Sequence, residues 1–314
     1  MHEIRPAPSP DALGLRSSRT LELSGYPPNR VRRLVDRGVL RRVRRGWYIS
    51  QDRWQRLDAD DRYRVVVYAG GFSLSDAAVI SHHSAAALHG LHLLAVPDQM
   101  HARVAAPVSG RGTRTGVSYH RLAVQIVPTT TAHGLHISGL EDVVRDVATV
   151  ASHREALVIA DQAARRGLDS GALRSWIADN PGRHGVRRLA LVIDRLDPAA
   201  ESAGETLTRV LLHEWAVPLP VSQCWIPTAI GDHRVDFAWP DRRIVLEFDG
   251  RGKYFDYRPT AEALYEERRR EKALINAGWR VIRIGWADVT RNTEAFRRLI
   301  TVALAASTQR PAVG

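Results

Sequence analysis

Two stretches of alternating apolar and polar residues flank a Pro-Asp pair near the C-terminus of this 314-residue chain. The apolar side chains recur at every second position, namely Val235, Phe237 and Trp239 before the pair and Ile244, Leu246 and Phe248 after it. A period of two predicts a β-hairpin with one buried face. A tip at residues 241–242 pairs Trp239 with Ile244. The same register places Asp236 opposite Glu247.

These facing carboxylates are the first candidate site. Like charges at opposed positions of a hairpin repel, and a divalent cation between Asp236 and Glu247 would remove that repulsion. Asp249 lies close by in the sequence. The alternative is a solvent-facing edge hairpin whose acids are neutralised by arginines such as Arg234 and Arg251. We favour the metal site, because carboxylate oxygens are the hard ligands that Mg²⁺ prefers.

The chain is strongly basic, with a formal net charge of +11, and this excess indicates an anionic partner such as nucleic acid. All but two of its 45 basic residues are arginines, a bias that GC-rich coding alone would produce, so their clustering matters more than their number. The single cysteine, Cys224, excludes an intramolecular disulfide and a cysteine-based zinc site within one chain. Without a leader-like N-terminus or a membrane-length apolar run, we expect a cytoplasmic protein with no membrane partner.

Residues 1–60 have the element order of a winged helix-turn-helix. Asn29 is expected to cap a helix that ends at Gly38, and a two-stranded wing with a turn at Gly46 follows. Arginines on the second helix and the wing of such a module contact phosphates and grooves. The alternative is a solvated basic face. The predicted DNA-binding residues are Arg30, Arg32, Arg33, Arg41, Arg42, Arg44 and Arg45.

Residues 61–196 predict an α+β middle domain. Strands are expected at 100–104, 117–119 and 124–126, and helices at 140–150, 154–166 and 170–178. Ser138 is expected to begin the first of these helices, in a pattern that resembles a capping box. A shorter helix after Ser81 holds three histidines. No carboxylate stands at ligand spacing from them, so we interpret His82, His83 and His89 as packing and capping residues rather than metal ligands.

Small, polar residues with Pro and Gly at positions 197–204 predict a domain boundary. Beyond it the chain predicts the order α-β-β-β-α-β-α, with helices at 205–215, 261–277 and 292–306 and strands at 221–226, 235–239, 244–248 and 279–286.

Residues 201–310 resemble the PD-(D/E)XK nuclease superfamily, and within it the very-short-patch mismatch-repair endonucleases. The resemblance is carried by Gly204-Glu205, Val235-Asp236-Phe237, Val245-Leu-Glu247-Phe-Asp249-Gly250, Arg270-Glu271 with Leu274, and Gly278-Trp279 with Val281 and Arg283. It implies a restriction-endonuclease-like α-β-β-β-α-β core. It also implies a Mg²⁺ (or Mn²⁺) ion held by Asp236, Glu247 and Glu205.

The sequence departs from this superfamily at one position. The lysine that the superfamily keeps two residues after the glutamate is replaced by Asp249. Asp249 would then be a further ligand or orient the attacking water. Lys253, one of only two lysines in the chain, would contact the phosphate in place of the missing cation.

The front half resembles the AbiEi-type antitoxins of type IV toxin–antitoxin systems. The resemblance rests on Gly38-Val-Leu with Arg42-Val-Arg-Arg-Gly46-Trp-Tyr48, and on Ile80-Ser81-His82 with Ser84-Ala-Ala-Ala-Leu88-His-Gly90. It implies a winged helix that binds operator DNA and represses its own operon. It also implies a cognate toxin as partner.

Three functional hypotheses follow for this mixed α/β, multi-domain chain. The first is a Mg²⁺-dependent DNA endonuclease acting in defence or repair, with catalytic residues Asp236, Glu247, Asp249, Lys253 and Glu205. The alternative is an antitoxin-like autorepressor whose nuclease domain is catalytically degenerate. A third is a partner-binding module that uses the charged helix between Glu262 and Lys272, although such charge runs are usually solvated faces.

Overall fold

The computed structural model describes residues 7–75, 78–105, 116–121, 129–130, 133–250 and 261–307. Its contacts divide the chain into two compact units, Met1–Leu196 and Asp197–Gly314. Helices and sheets occur in both units, which confirms the mixed α/β class. Within the described ranges, no helix is long and apolar enough to cross a membrane.

The first unit begins with a small module that is a helix-turn-helix followed by a wing. Its elements are α1 (Pro10–Leu13), β1 (Arg16–Ser17), α2 (Ser18–Leu23), α3 (Pro28–Asp36), β2 (Leu40–Arg44), β3 (Trp47–Ser50) and α4 (Gln51–Arg56). The strands form an antiparallel sheet in the order β1-β3-β2. Gly46 turns the wing at φ 82°, in the left-handed region that glycine enters without strain. The predicted order of elements is therefore confirmed.

The start of helix α3 differs from the prediction, whereas its end does not. Its N-cap is Pro27 and Pro28 occupies the first turn, so the prediction that Asn29 caps the helix is wrong. Proline suits that position because its fixed φ is helical and its missing N–H would have no helical partner there. The predicted end is confirmed: Gly38 adopts φ 70°, and the backbone N–H of Val39 donates to the carbonyl of Leu34 at 2.9 Å.

The rest of the first unit packs helices around a sheet of order β6-β5-β4-β8-β7. Its elements are α5 (Ala59–Gly71), β4 (Val79–Ile80), α6 (His82–Leu88), β5 (Met100–Val104), β6 (Val117–Arg121), β7 (Thr129–Thr130), β8 (His136–Ile137), α7 (Leu140–Val150), α8 (His153–Ala164), α9 (Ser170–Asp179) and α10 (Val186–Asp194). The strand predicted at 124–126 lies outside the described residues. Ser138 is buried and does not cap α7, whose N-cap is Gly139.

The second unit contains α11 (Ala203–Glu214), β9 (Val221–Thr228), β10 (Gly231–Trp239), β11 (Ile244–Asp249), α12 (Ala261–Asn276), β12 (Arg280–Gly285), α13 (Trp286–Thr290) and α14 (Thr293–Ser307). The sheet order is β12-β11-β10-β9, antiparallel except for the parallel pair β11 and β12. The predicted order of elements is confirmed, with the short helix α13 added.

The predicted hairpin forms, and where residues 237–239 pair with residues 244–246 its register is the predicted one. Trp239 pairs with Ile244, and Phe237 pairs with Leu246. The expectation of a single buried face is wrong for β11, because Val245 is as fully buried as its neighbours. Consecutive residues of a strand point to opposite sides, and both faces of β11 are covered by helices. Val245 packs in one cluster with Leu274 of α12, and on the other side Phe248 lies against Gly204 of α11.

Candidate functional site

The arginines predicted to contact DNA lie on α3 and on the wing. Two of them are positioned by aromatic rings: the guanidinium carbon of Arg30 lies 4.6 Å from the ring centroid of Tyr26, and that of Arg41 lies 4.1 Å from the ring centroid of Trp54. Such stacking orients a guanidinium while leaving N–H groups for a further partner. Six of the seven predicted residues are exposed, namely Arg30, Arg32, Arg33, Arg41, Arg42 and Arg45.

These six side chains also lack acidic partners. None of them forms a salt bridge with a carboxylate among the residues that the structure describes, whereas nearby Arg16 and Arg56 pair with Asp11 and Asp52. An unpaired guanidinium at the surface keeps its charge available to an external anion. The α3 and wing arginines therefore present an uncompensated positive surface.

Arg44 differs from the other predicted contacts. The strand register shifts between Arg42 and Arg44, and Arg44 is partly buried. Its guanidinium lies so close to Gly70 and Gly116 that a Cβ there would meet it at 3.5 Å and 3.3 Å. Burial lowers the pKa of this guanidinium. Arg44 thus packs partly within the first unit, and its contact with DNA stays a prediction.

Glu205 and Asp236, two of the predicted metal ligands, are held in the second unit by hydrogen bonds. Glu205, in the first turn of α11, is 6 % exposed; its Oε2 accepts from the backbone N–H of Glu201 at 2.9 Å and from Nε2 of Gln223 at 2.8 Å. Oδ2 of Asp236 accepts from the backbone N–H of Phe248 at 2.8 Å. These hydrogen bonds fix the orientation of both carboxylates.

Burial makes ionisation of all three predicted ligands unfavourable. It raises the pKa of Glu205 to about 7, and repulsion from Asp236 adds to the effect. Burial also raises the pKa of Asp236, against the hydrogen bond from Phe248, and the pKa of Glu247, against the charge of Arg270. A cation near these groups would favour their charged forms.

Glu247 already has cationic partners. It forms a salt bridge with Arg270, which also donates to the carbonyl of Arg234 at 2.8 Å. Nη2 of Arg283 lies 3.4 Å from Oε2 of Glu247 and 2.6 Å from Oε1 of Glu267. The alternative of a solvent-facing edge hairpin is wrong for Glu247, which is buried on an inner strand. Its expected neutralisation by arginines is found with Arg270 and Arg283, whereas Arg251 lies outside the described residues.

Of the two remaining predicted catalytic residues, the structure describes only Asp249. Asp249 ends β11, where it pairs with Gly285. Lys253 lies outside the described residues. Arg234, expected as a neutralising group, pairs instead with Glu201 at 2.6 Å.

The three histidines in α6 and at its C-terminal end have different environments. His83 lies 3.0 Å from Oε1 of Glu155, and Nε2 of His89 lies 2.8 Å from the carbonyl of Ser138, as packing residues would. His82 instead lies with His101 and His120, and one ring nitrogen of each falls within 4.8 Å of the others. Sequence spacing gave no signal for this group, because its members come from α6, β5 and β6.

The N-terminal module matches a known family. Residues 17–51, from β1 to the start of α4, match the family model described as "Transcriptional regulator, AbiEi antitoxin". Residues 17–51 form an AbiEi antitoxin-like domain. This AbiEi-like domain contains all seven arginines that were predicted to contact DNA.

Sequence similarity to two relatives extends beyond the AbiEi-like domain. They are the uncharacterised proteins MT2308 and Rv2248 of Mycobacterium tuberculosis, from strains CDC 1551 / Oshkosh and ATCC 25618 / H37Rv. Each is 29% identical to this chain over 270 residues, which cover 82% of the chain and 89% of the relative. The crystal structure of the RV2827C protein from the same organism aligns with a TM-score of 0.38 and 14% identity, over 57% of this chain and 71% of that one.

Proposed function

We propose that this chain is a DNA-binding transcriptional regulator of the antitoxin type. The observation that carries the proposal is the set of six exposed arginines on α3 and the wing, none of which pairs with an acid in the part of the chain that the structure describes. They lie within the residues that match the AbiEi antitoxin family. A helix that enters the major groove, flanked by a wing that meets the backbone, is how such modules read DNA. A cognate toxin protein is the second partner that this function implies.

The proposal predicts sequence-specific binding without metal. With a chelator present, the full chain should bind the duplex upstream of its own gene on the order of 10³-fold more tightly than an unrelated duplex of equal length. Fluorescence anisotropy at several salt concentrations measures both affinities. Equal affinity for the two duplexes, or binding that returns only when Mg²⁺ is supplied, contradicts the proposal.

A second candidate function, Mg²⁺-dependent DNA hydrolysis, is favoured by the buried carboxylates of the second unit. Glu205, Asp236 and Glu247 supply hard oxygen donors. Burial raises the pKa values of Glu205 and Glu247, and repulsion from Asp236 adds to the effect on both. The three residues would hold Mg²⁺ (or Mn²⁺) after Glu247 exchanges Arg270 for the ion and the three carboxylates move closer together. Among the described residues, the group of three possible ligands whose atoms all lie within 4.8 Å of one another is made of histidines and does not include these carboxylates. A bound ion would supply an activated water and stabilise charge on the phosphate. The arginines Arg270 and Arg283 offer positive charge where Asp249 replaces the superfamily lysine.

Hydrolysis is tested by a single conservative change. With Mg²⁺ or Mn²⁺, the purified chain should nick or cut plasmid DNA. Asp236→Asn should lower that rate by on the order of 100-fold, the upper end of what losing a supporting group at a metal site costs. Asp232→Asn, on the exposed start of the same strand, is the matched control and should cut normally. Cleavage that survives Asp236→Asn would assign the nuclease activity to a contaminant or another site. The absence of cleavage in wild type leaves the DNA-binding proposal intact.

A further inference from the structure

The first unit holds a cluster of imidazoles that neither proposed function uses. We propose that His82, His101 and His120 bind one Zn²⁺ ion. The ligands come from three elements: His82 from the start of α6, His101 from β5 and His120 from β6. Their candidate donor atoms all lie within 4.8 Å of one another. Among the residues that the structure describes, this is the group of three with metal-binding geometry.

The distances suit zinc closely. Nδ1 of His101 lies 2.9 Å from Nε2 of His120, and the rings of His82 and His120 stack with centroids 3.8 Å apart. Tetrahedral zinc with bonds of about 2.0–2.1 Å to nitrogen separates its ligand atoms by roughly 3.3 Å. Opening one contact by a few tenths of an ångström and closing the others by up to about 1.5 Å would create that geometry. Side-chain rotations alone supply shifts of this size.

The backbone around the cluster is fixed by packing. The hydroxyl of Ser84 accepts from the backbone N–H of His101 at 2.7 Å and lies 2.8 Å from the hydroxyl of Tyr63, which is buried. In the parallel ladder of β5 and β6, His120 pairs with Arg103. Arg103 lies two residues after His101 on β5. Two residues apart on one strand, His101 and Arg103 point to the same side of the sheet. The two strand histidines are therefore presented together by a rigid scaffold.

His82 carries two further marks of a built site. Its φ is 52°, a left-handed value that is uncommon for a residue with a side chain and that costs of order 1 kcal/mol or more. Its Nδ1 lies 2.9 Å from the hydroxyl of Ser81 and 3.5 Å from Oδ2 of Asp146. That Oδ2 is buried and has no hydrogen-bond partner among the described residues. A carboxylate behind an imidazole is the arrangement that orients and strengthens histidine ligands of zinc.

The protonation state also favours metal. Burial and the neighbouring positive groups lower the pKa values of all three imidazoles, that of His101 to about 4. The rings are thus neutral at pH 7, which is the form that binds metal. Imidazole nitrogen suits Zn²⁺, whereas Mg²⁺ prefers the carboxylates of the second unit. Three protein ligands leave a fourth position for water.

The test measures metal content and stability in the full chain. After removal of metal by a chelator, wild-type protein should take up one equivalent of Zn²⁺, measured by plasma mass spectrometry after dialysis. At free Zn²⁺ about 100-fold above the dissociation constant, the melting temperature of the first unit should rise by about 5–10 °C. Replacing Zn²⁺ by Co²⁺ should give the visible absorption of a four-coordinate ion.

Variants assign the ion to this cluster. His101→Ala and the more conservative His120→Gln should each lose most of the bound Zn²⁺ and its thermal stabilisation. His184→Ala, at an exposed position, and Asp236→Asn, in the second unit, should keep both. Should His101→Ala fail to fold, His120→Gln and the Co²⁺ spectrum of wild type decide the question. Less than a tenth of an equivalent in folded wild type, or full Zn²⁺ retention in folded His120→Gln, overturns the proposal.

Discussion

The quadruple variant Arg32→Gln, Arg33→Gln, Arg42→Gln and Arg45→Gln is expected to bind DNA on the order of 10²–10³-fold more weakly than wild type near physiological salt. All four side chains are exposed, and none pairs with an acid among the described residues. Each phosphate contact releases about one counterion, so removing four should lower the slope of log affinity against log salt by roughly 3–4. Fluorescence anisotropy from 50 to 300 mM salt measures both quantities.

A charge-matched control separates this interface from general basicity. Replacing Arg280, Arg291, Arg297 and Arg298 by Gln removes the same charge from exposed positions of the second unit. This control should keep the wild-type slope to within about one counterion. A loss equal to that of the α3 and wing variant would mean that net charge, rather than the AbiEi-like domain, drives binding. Both variants should melt close to wild type, because exposed substitutions usually change stability by less than about 0.5 kcal/mol.

Arg44 sharpens the same experiment. Sequence position made it equivalent to Arg42 and Arg45, yet its guanidinium packs against Gly70 and Gly116. Including Arg44 in a neutralised set would mix loss of packing with loss of DNA contact. For that reason the quadruple variant leaves it unchanged.

Features that depend on neighbours in sequence were predicted well. The hairpin register followed from a period of two and a Pro-Asp turn, and the structure pairs Trp239 with Ile244 as expected. The end of α3 at Gly38 and the turn at Gly46 followed from the conformational freedom of glycine. The predicted N-cap of α3 was wrong because both Asn29 and Pro28 are residues that favour a helix start, and the proline occupies the first turn.

Features that depend on distant contacts were not predictable in this way. Double burial of β11 depends on α11 and α12, which lie outside the hairpin in sequence, so alternation within the hairpin could not show it. The salt bridge between Glu247 and Arg270 joins residues 23 positions apart and changes how a carboxylate at that place is compensated. The histidine cluster needs the parallel pairing of β5 with β6. The sequence of α6 alone predicted only that its histidines are packing residues.

Gly204→Ala is expected to destabilise the second unit by about 3 kcal/mol. Helix propensity alone predicts the reverse, because alanine inside a helix is better than glycine by about 0.5–1 kcal/mol. A Cβ on Gly204 would lie 2.0 Å from Cε1 of Phe248. That ring contacts Trp286 edge to face, with centroids 5.3 Å apart, so it cannot move away freely. Calorimetry should show the transition of this unit roughly 10 °C lower.

Two further variants decide whether the clash is the cause. At Gly250 an added Cβ would lie 3.9 Å from the same ring atom, an ordinary contact, so Gly250→Ala should change stability by less than about 0.5 kcal/mol. In Gly204→Ala, the second change Phe248→Leu should cost far less than it does in wild type, because the smaller side chain makes room for the methyl group. This coupling should be at least about 1 kcal/mol. Strictly additive effects, or a stabilising Gly204→Ala, would show that α11 does not approach β11 as closely as the structure places it.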